Sequence, residues 1–293
     1  MKKLLVYILI IFSITFCVSY IFDVYYTHVF ETSKPRSKLQ MALKNDTFTY
    51  DIIFVGNSRV ENNIDCETVT RLTGKSCMNF GIAGMSNKDQ LVLLHVLKSK
   101  GATFDYIFIQ TDATYNNKGL TKAFKAGLMP YIKHESVRPF LKEEVSWADL
   151  HVPMYRYIRN DKIIGIREVI TTTFGKEARV DLTNGWSPKE GNYLKNSIAN
   201  TQPVVIHDNP EVDELKEMAD IMGDQVFWFI APYCSEKNNR SMVPELKNKI
   251  PNLITYMSFF DGREEYFFNC GHLNREGALL FTEHIVNDLL IKN

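Results

Sequence analysis

The sequence predicts an α/β protein in which a parallel β-sheet is covered by helices on both faces. Short apolar runs recur at Asp51–Gly56, Lys75–Phe80, Tyr106–Gln110, Gln225–Ala231 and Leu253–Ser258, each with the length and continuity of a strand buried on both sides. Amphipathic stretches fall between and after them, at Cys66–Thr73, Lys88–Lys100, Pro210–Met222 and Arg275–Ile291, and such alternation is the signature of strand–helix–strand units. The 293 residues, 45% hydrophobic and 23% charged, suit one large domain and exclude disordered and collagen-like classes.

The chain opens on a different pattern. Lys2 and Lys3 precede a run from Leu4 to Phe22 with no charged residue, and a helix of about 20 apolar residues crosses a bilayer. Tyr25 and Tyr26 then fall at the far interface, where amphipathic rings are accommodated. Cys17-Val18-Ser19 is a poor match to a cleavage site, so residues 1–23 read as an uncleaved membrane anchor with the rest of the chain outside the cytoplasm. Residues 24–50 are polar and mixed in charge and include Ser33-Lys34-Pro35; they read as a stalk leading to a domain at 51–293.

Each predicted element then follows in order. The run ending at Gly56 is the first strand, and Gly56-Asn57-Ser58-Arg59 is the turn after it. The second run is followed by Asn79-Phe80-Gly81-Ile82-Ala83-Gly84, and the third by Thr111-Asp112. Residues from about 112 to 205 are too long for a simple crossover and read as an insertion over the carboxyl edge of the sheet. They carry Trp147, Tyr155, Tyr157, Trp186 and Tyr193, with a turn at Asn184-Gly185-Trp186-Ser187-Pro188. The third amphipathic stretch begins at Asn209-Pro210, an N-cap with Pro at the first helical position. Cys66, Cys77, Cys234 and Cys270 remain once Cys17 is assigned to the anchor. An oxidising compartment favours disulfides, for which three pairings are possible. Cys66 and Cys77 share an early strand–helix–strand stretch and Cys234 and Cys270 both follow late strands, which suggests those two pairs, with four buried thiols as the alternative.

Lys+Arg and Asp+Glu balance at 34 each, which gives no overall pull toward nucleic acid. Candidate chemistry comes instead from residues just past the strands, where ligands of open α/β sheets bind. Ser58, in a strand-to-helix turn, is a candidate nucleophile, although Ser also caps helices in that position. Gly84, where the chain must turn, offers a candidate oxyanion donor or simply a positive φ. His272 stands in Asn269-Cys270-Gly271-His272-Leu273-Asn274, just before the final helix. Cys270 and His272 lack zinc-ligand spacing, so neither metal nor cofactor is expected.

These blocks, Gly56-Asn57-Ser58-Arg59, Asn79 to Gly84 and His272-Leu273-Asn274 with Gly277, resemble those of the SGNH (GDSL-like) hydrolase superfamily. The likeness is greatest to its membrane-anchored branch, related to alginate O-acetylation proteins and the teichoic-acid D-alanine transfer protein. It covers about residues 51–111 and 225–290. The resemblance implies a three-layer α/β/α sandwich with a flavodoxin-like sheet, and an extracytoplasmic esterase or O-acyltransferase. It further implies Ser58 as nucleophile, His272 as base, and the N–H groups of Ser58 and Gly84 in the oxyanion hole. The implied partners are an acylated polysaccharide or other glycan, the membrane through the N-terminal helix, and a membrane-bound acyl-transfer protein.

Two positions depart from that pattern. Asn269 stands where the family has an Asp to orient the imidazole, leaving Asp261 as an alternative source of charge. Gln110-Thr111-Asp112 stands where the family offers an Asn donor, so Thr111, Asn116 or Asn117 would replace it, with Asp112 as a further supporting group. The departures keep open a second expectation, a catalytically impaired glycan-binding or scaffold protein.

Overall fold

A computed structural model describes residues 2–178, 180–194, 205–234 and 239–291. It is a mixed α/β protein whose main sheet holds five strands, all parallel, in the order β2-β1-β3-β4-β5. The strands are β1 (Ile52–Val55), β2 (Cys77–Asn79), β3 (Phe104–Gln110), β4 (Gly223–Ile230) and β5 (Ile254–Thr255). A separate antiparallel pair, β6 (Phe267–Asn269) and β7 (His272–Leu273), precedes the last α-helix.

Alternation along the strands builds two cores. Ile53, Val55, Ile107 and Ile109 point into one apolar cluster, and Ile52, Phe54, Phe108 and Phe229 into the other. Successive side chains of a strand lie on opposite faces, so both faces of this sheet are covered, as its continuous apolar runs require. The first core is completed by α5 (Asn87–Ser99) and α12 (Pro210–Met222), the second by α3 (Ser58–Asn63), α4 (Cys66–Thr73) and α14 (Arg275–Val286). The expected Cys66–Cys77 and Cys234–Cys270 pairs are both present as disulfides. Asn209 caps α12 through Glu211 N–H, with Pro210 at the first helical position.

The region expected to be a solvated stalk is instead part of the folded body. The first helix, α1, runs unbroken from Lys2 to Thr32, and α2 follows at Lys38–Lys44. Tyr26, Val29, Phe30, Leu39, Met41 and Leu43 are buried in the first core. The polar residues interspersed among them disguised two short amphipathic faces, whose burial fixes the chain. The amino-terminal part of α1 is long and apolar enough to cross a membrane, and no residue of that stretch is buried.

Between β3 and α12, the described residues form six short α-helices: α6 (Lys122–Leu128), α7 (Arg138–Leu141), α8 (Trp147–His151), α9 (Tyr155–Arg159), α10 (Asp161–Ile164) and α11 (Ile166–Thr173). They pack mainly around α1 and α2 as an extension of the first core. Tyr131 donates to Phe30 O at 2.9 Å, and the Tyr157 ring lies 5.1 Å from that of Tyr26. The end of the expected insertion, at 195–204, lies outside the described residues. Past α12 and β4, α13 (Met242–Lys249) packs against the first core through Met242 and Leu246.

Candidate active site

The turn after β1 places Ser58 at the first position of α3. Asn57 caps the helix by accepting Arg59 N–H at 2.9 Å, so Asn57 rather than Ser58 performs the capping. Ser58 Oγ is thereby left to meet His272 Nε2 at 2.8 Å. His272 reaches it from β7, paired with Asn269 of β6. Both ends of α3 contribute, since Asn63 at its close accepts Leu273 N–H at 3.1 Å and so holds the strand that carries His272.

Asn269 Oδ1 lies 2.9 Å from His272 Nδ1 and also accepts the N–H groups of Gly271 at 2.9 Å and His272 at 3.0 Å. Two backbone donors identify the oxygen of the amide, and an oxygen facing Nδ1 requires a hydrogen there. The remaining nitrogen, Nε2, then presents its lone pair to Ser58 Oγ. This is the tautomer a general base needs. What Asn269 lacks is a charge to stabilise the imidazolium that proton transfer creates.

Asp261 does not supply that charge: it pairs with Arg240 on the surface. Its spacing from His272 is accommodated by the turn and short 3-10 helix that precede β6, and these carry it to a different partner. Asp112 is also committed elsewhere. It is 1% exposed and receives Arg59 Nη1 at 3.1 Å, Tyr233 Oη at 2.8 Å and Gln110 Nε2 at 2.9 Å. Arg59 in turn donates to Ala231 O and Pro232 O, and its guanidinium lies 3.4 Å from the centre of the Tyr233 ring. Burial lowers the pKa of Arg59 to about 10 while Asp112 opposes the shift, so the guanidinium keeps its charge at neutral pH. Asp112 is therefore half of a buried strut that ties the start of α3 to the ends of β3 and β4.

Asn116 and Asn117 hold loops. The Asn116 side chain donates to Val205 O and accepts His207 N–H, while Asn117 O receives Asn87 Nδ2. Thr111 is 1% exposed, and its Oγ1 has no hydrogen-bond partner among the described residues.

The loop after β2 is fitted to α3 by Gly81 and Asn79. Asn79 donates to Val60 O and Ile64 O and accepts Gly81 N–H. A Cβ on Gly81 would come within 2.3 Å of Glu61 N, so only glycine permits this approach. Ile82 N–H bonds Gly56 O at 3.1 Å, which sets the loop beside the Ser58 turn. Gly84 follows at an exposed turn with φ 76, closed by Met85 N–H to Ile82 O at 3.1 Å. Its positive φ is the conformation glycine adopts without steric cost.

Ser58, His272 and Asn269, expected from the sequence, meet here, and Arg59, Asn63, Gly81 and Tyr233 join them as residues the sequence does not mark with a role. Arg59 follows Ser58 directly and Tyr233 follows β4, so their positions at strand ends were the available signal. The aromatics of 112–205 do not gather into one platform. Trp186 donates to Asn62 O at 2.9 Å beside α3, Tyr193 lies against Phe268, Tyr157 is buried on α1, and Trp147 and Tyr155 are exposed. The Asn184-Gly185-Trp186 turn packs on the sheet, with Asn79 N–H bonded to Asn184 O and Ser187 N–H to Glu61 O.

No protein-family model matches the chain, and no curated protein matches it. A serine hydroxyl, an imidazole in the base tautomer and an amide that fixes the imidazole stand in one hydrogen-bonded line at a half-buried position. Such a line can move a proton from Oγ to Nε2 as the oxygen attacks an electrophile.

Proposed function

We propose that the protein is an extracytoplasmic serine esterase or O-acyltransferase that acts on acyl esters of cell-surface or exported polysaccharide. The contact between Ser58 Oγ and His272 Nε2, with Nδ1 held by Asn269, carries this reading. In the proposed reaction Ser58 Oγ attacks the acyl carbonyl carbon and its proton passes to Nε2. The N–H groups of Ser58 and Gly84 stabilise the resulting oxyanion. Collapse breaks the ester C–O bond, and the imidazolium returns its proton to the departing sugar oxygen. Water then releases the acyl group, or a second sugar hydroxyl accepts it, with His272 again taking the proton.

The finer architecture belongs to the same reading. The strand order with a core on each face supports a three-layer α/β/α sandwich of the flavodoxin-like, SGNH type, with about 112–205 as its insertion. Two disulfides support an oxidising compartment, and α1 supports single-pass anchoring with the domain in the periplasm or outside the cell. A membrane-bound acyl donor system is the partner this placement favours.

Replacing Ser58 by Ala is expected to abolish acetyl-ester turnover and labelling by a serine-directed phosphonate, both measured on the detergent-solubilised full chain. Undiminished turnover in Ser58→Ala would refute the assignment. The neutral Asn269 favours one second reading, a glycan-binding protein of the same fold with impaired catalysis. That reading requires an inactive parent together with glycan affinity that Ser58→Ala leaves unchanged.

A further inference from the structure

The helices between β3 and β4 expose an unusual amount of apolar surface. Ile166, Ile170 and Phe174 recur at four-residue spacing along α11 and its end, and all three are exposed, Phe174 at 83%. Ile158 of α9 is 69% exposed, and Ile163 of α10 is exposed as well. The opposite side of α11 is spent inside the protein: Val169 and Thr172 are buried, and Glu168, Thr171 and Thr172 all receive Arg36. The outward stripe is thus a second face, and exposed apolar patches of this kind mark contact surfaces.

Its position relative to α1 indicates what it contacts. Asp23 is the first charged residue of α1 after Lys3 and closes the apolar run. It pairs with Arg156 of α9 at 2.6 Å and accepts Met154 N–H at 2.8 Å. Two residues on, Tyr25 Oη lies 3.1 Å from Thr173 Oγ1 at the end of α11. Asp23 and Tyr25 are about 3 Å apart along a helix axis, so α9 and α11 attach at the level where the apolar span ends. Lys162 and Arg167 lie among the exposed isoleucines, with Asp161 as the neighbouring exposed acid. Long basic side chains can lay their stems on apolar surface and extend the charge to a phosphate.

We infer that the outward face of α9–α11, formed by Ile158, Ile166, Ile170 and Phe174, lies in the headgroup and upper acyl layer of the bilayer that α1 crosses. The lipid surface is its partner, and the protein is held by an interfacial platform as well as by its span. Fixing the body against the membrane in this way sets the orientation of the sheet, and with it that of the Ser58 turn, relative to the lipid plane. The inference rests on α1 spanning the bilayer and is independent of the proposed chemistry.

Spin-label accessibility on the full chain in phosphatidylcholine–phosphatidylglycerol vesicles tests it. With Cys17 replaced by Ser, single labels are placed through Ile170→Cys and Phe174→Cys. Ile14→Cys in the span and Asp220→Cys on α12 serve as references. All four positions are exposed, so unfolding temperatures in detergent should match that of the Cys17→Ser parent. The ratio of oxygen to nickel-chelate collisions at 170 and 174 is expected to exceed that at 220 and to approach that at 14. Ratios at 170 and 174 equal to that at 220, with a high ratio at 14, would overturn the platform and leave the span intact. A low ratio at 14 as well would overturn both. Labels at 170 and 174 shielded from both reagents would indicate a protein neighbour and overturn lipid as the occupant.

Discussion

At the scale of single residues, Asn269 sets the character of the site. Its amide oxygen receives three N–H groups, a task a carboxylate would perform at least as well. In a serine-protease triad, Asp→Asn costs about 10⁴ in kcat, largely because the tautomer is wrong. Here the backbone N–H groups of Gly271 and His272 select the amide oxygen, so the tautomer is right and only the charge is missing. Asn269→Asp is therefore expected to raise kcat/KM for an acetyl ester by about 10-fold to 100-fold, since charge-assisted hydrogen bonds are roughly twice as strong as neutral ones. The acid limb of the pH–rate profile should move to higher pH, because a neighbouring carboxylate favours the imidazolium. Asn269→Ala should lower kcat/KM. Equal rates in all three proteins would show that the imidazole is oriented by other groups.

At the scale of elements, the Arg59–Asp112 strut joins α3 to the ends of β3 and β4. Breaking a buried ion pair by removing one partner costs about 3–5 kcal/mol, because the other charge is left uncompensated. Asp112→Ala should therefore lower the unfolding free energy in urea by about that amount, with Asp112→Asn costing less because an amide can still accept from Arg59. If Asp112→Ala left the denaturation midpoint unchanged, the strut would have no energetic role. The partners of Asp112 were not legible beforehand. A carboxylate after a strand has the same sequence appearance whether it faces a ligand or a buried arginine, and Arg59 and Asp112 come together only when β1 and β3 pair in register. The same holds for Gly185, whose φ of 81 and close approach to Asn79 O depend on a segment arriving from far along the chain.

At the scale of the whole molecule, the segment that follows the apolar run and the loop beside the Ser58 turn are one body. Lys38 of α2 is 2% exposed and donates to Gly81 O at 2.5 Å. Burial lowers its pKa to about 8. The unfolded chain therefore holds this proton between pH 8 and about 10.5 while the folded one releases it. Stability must rise with pH across that window. Below it the full desolvation cost is present, on the order of 3 kcal/mol. The full chain in detergent should gain about 2 kcal/mol between pH 8 and 10 from this group. Lys38→Met should lose that gain, which comparison of the two unfolding profiles isolates. Identical pH dependence in both proteins would show that Lys38 titrates normally and is not buried as described.

Local pattern sufficed for the apolar run, the strand and helix succession and the cap at Asn209, whereas Ser58 and His272 stood out only through their places after strands taken together and through the resemblance of their blocks. Each of these depends on neighbours within a few residues, or on a strand ending where a ligand can reach. The disulfide pairing was also favoured in advance, because the four cysteines fall near predicted elements. Tertiary structure decided the rest. It showed that residues 24–44 are packed rather than a stalk, and that helices after β3 pack against α1 and α2. It also committed Asp112 to Arg59 and Asp261 to Arg240, and set Asn269 against His272. Burial and ion pairing are made by residues distant in sequence, and a polar side chain carries no local sign of which distant group will satisfy it.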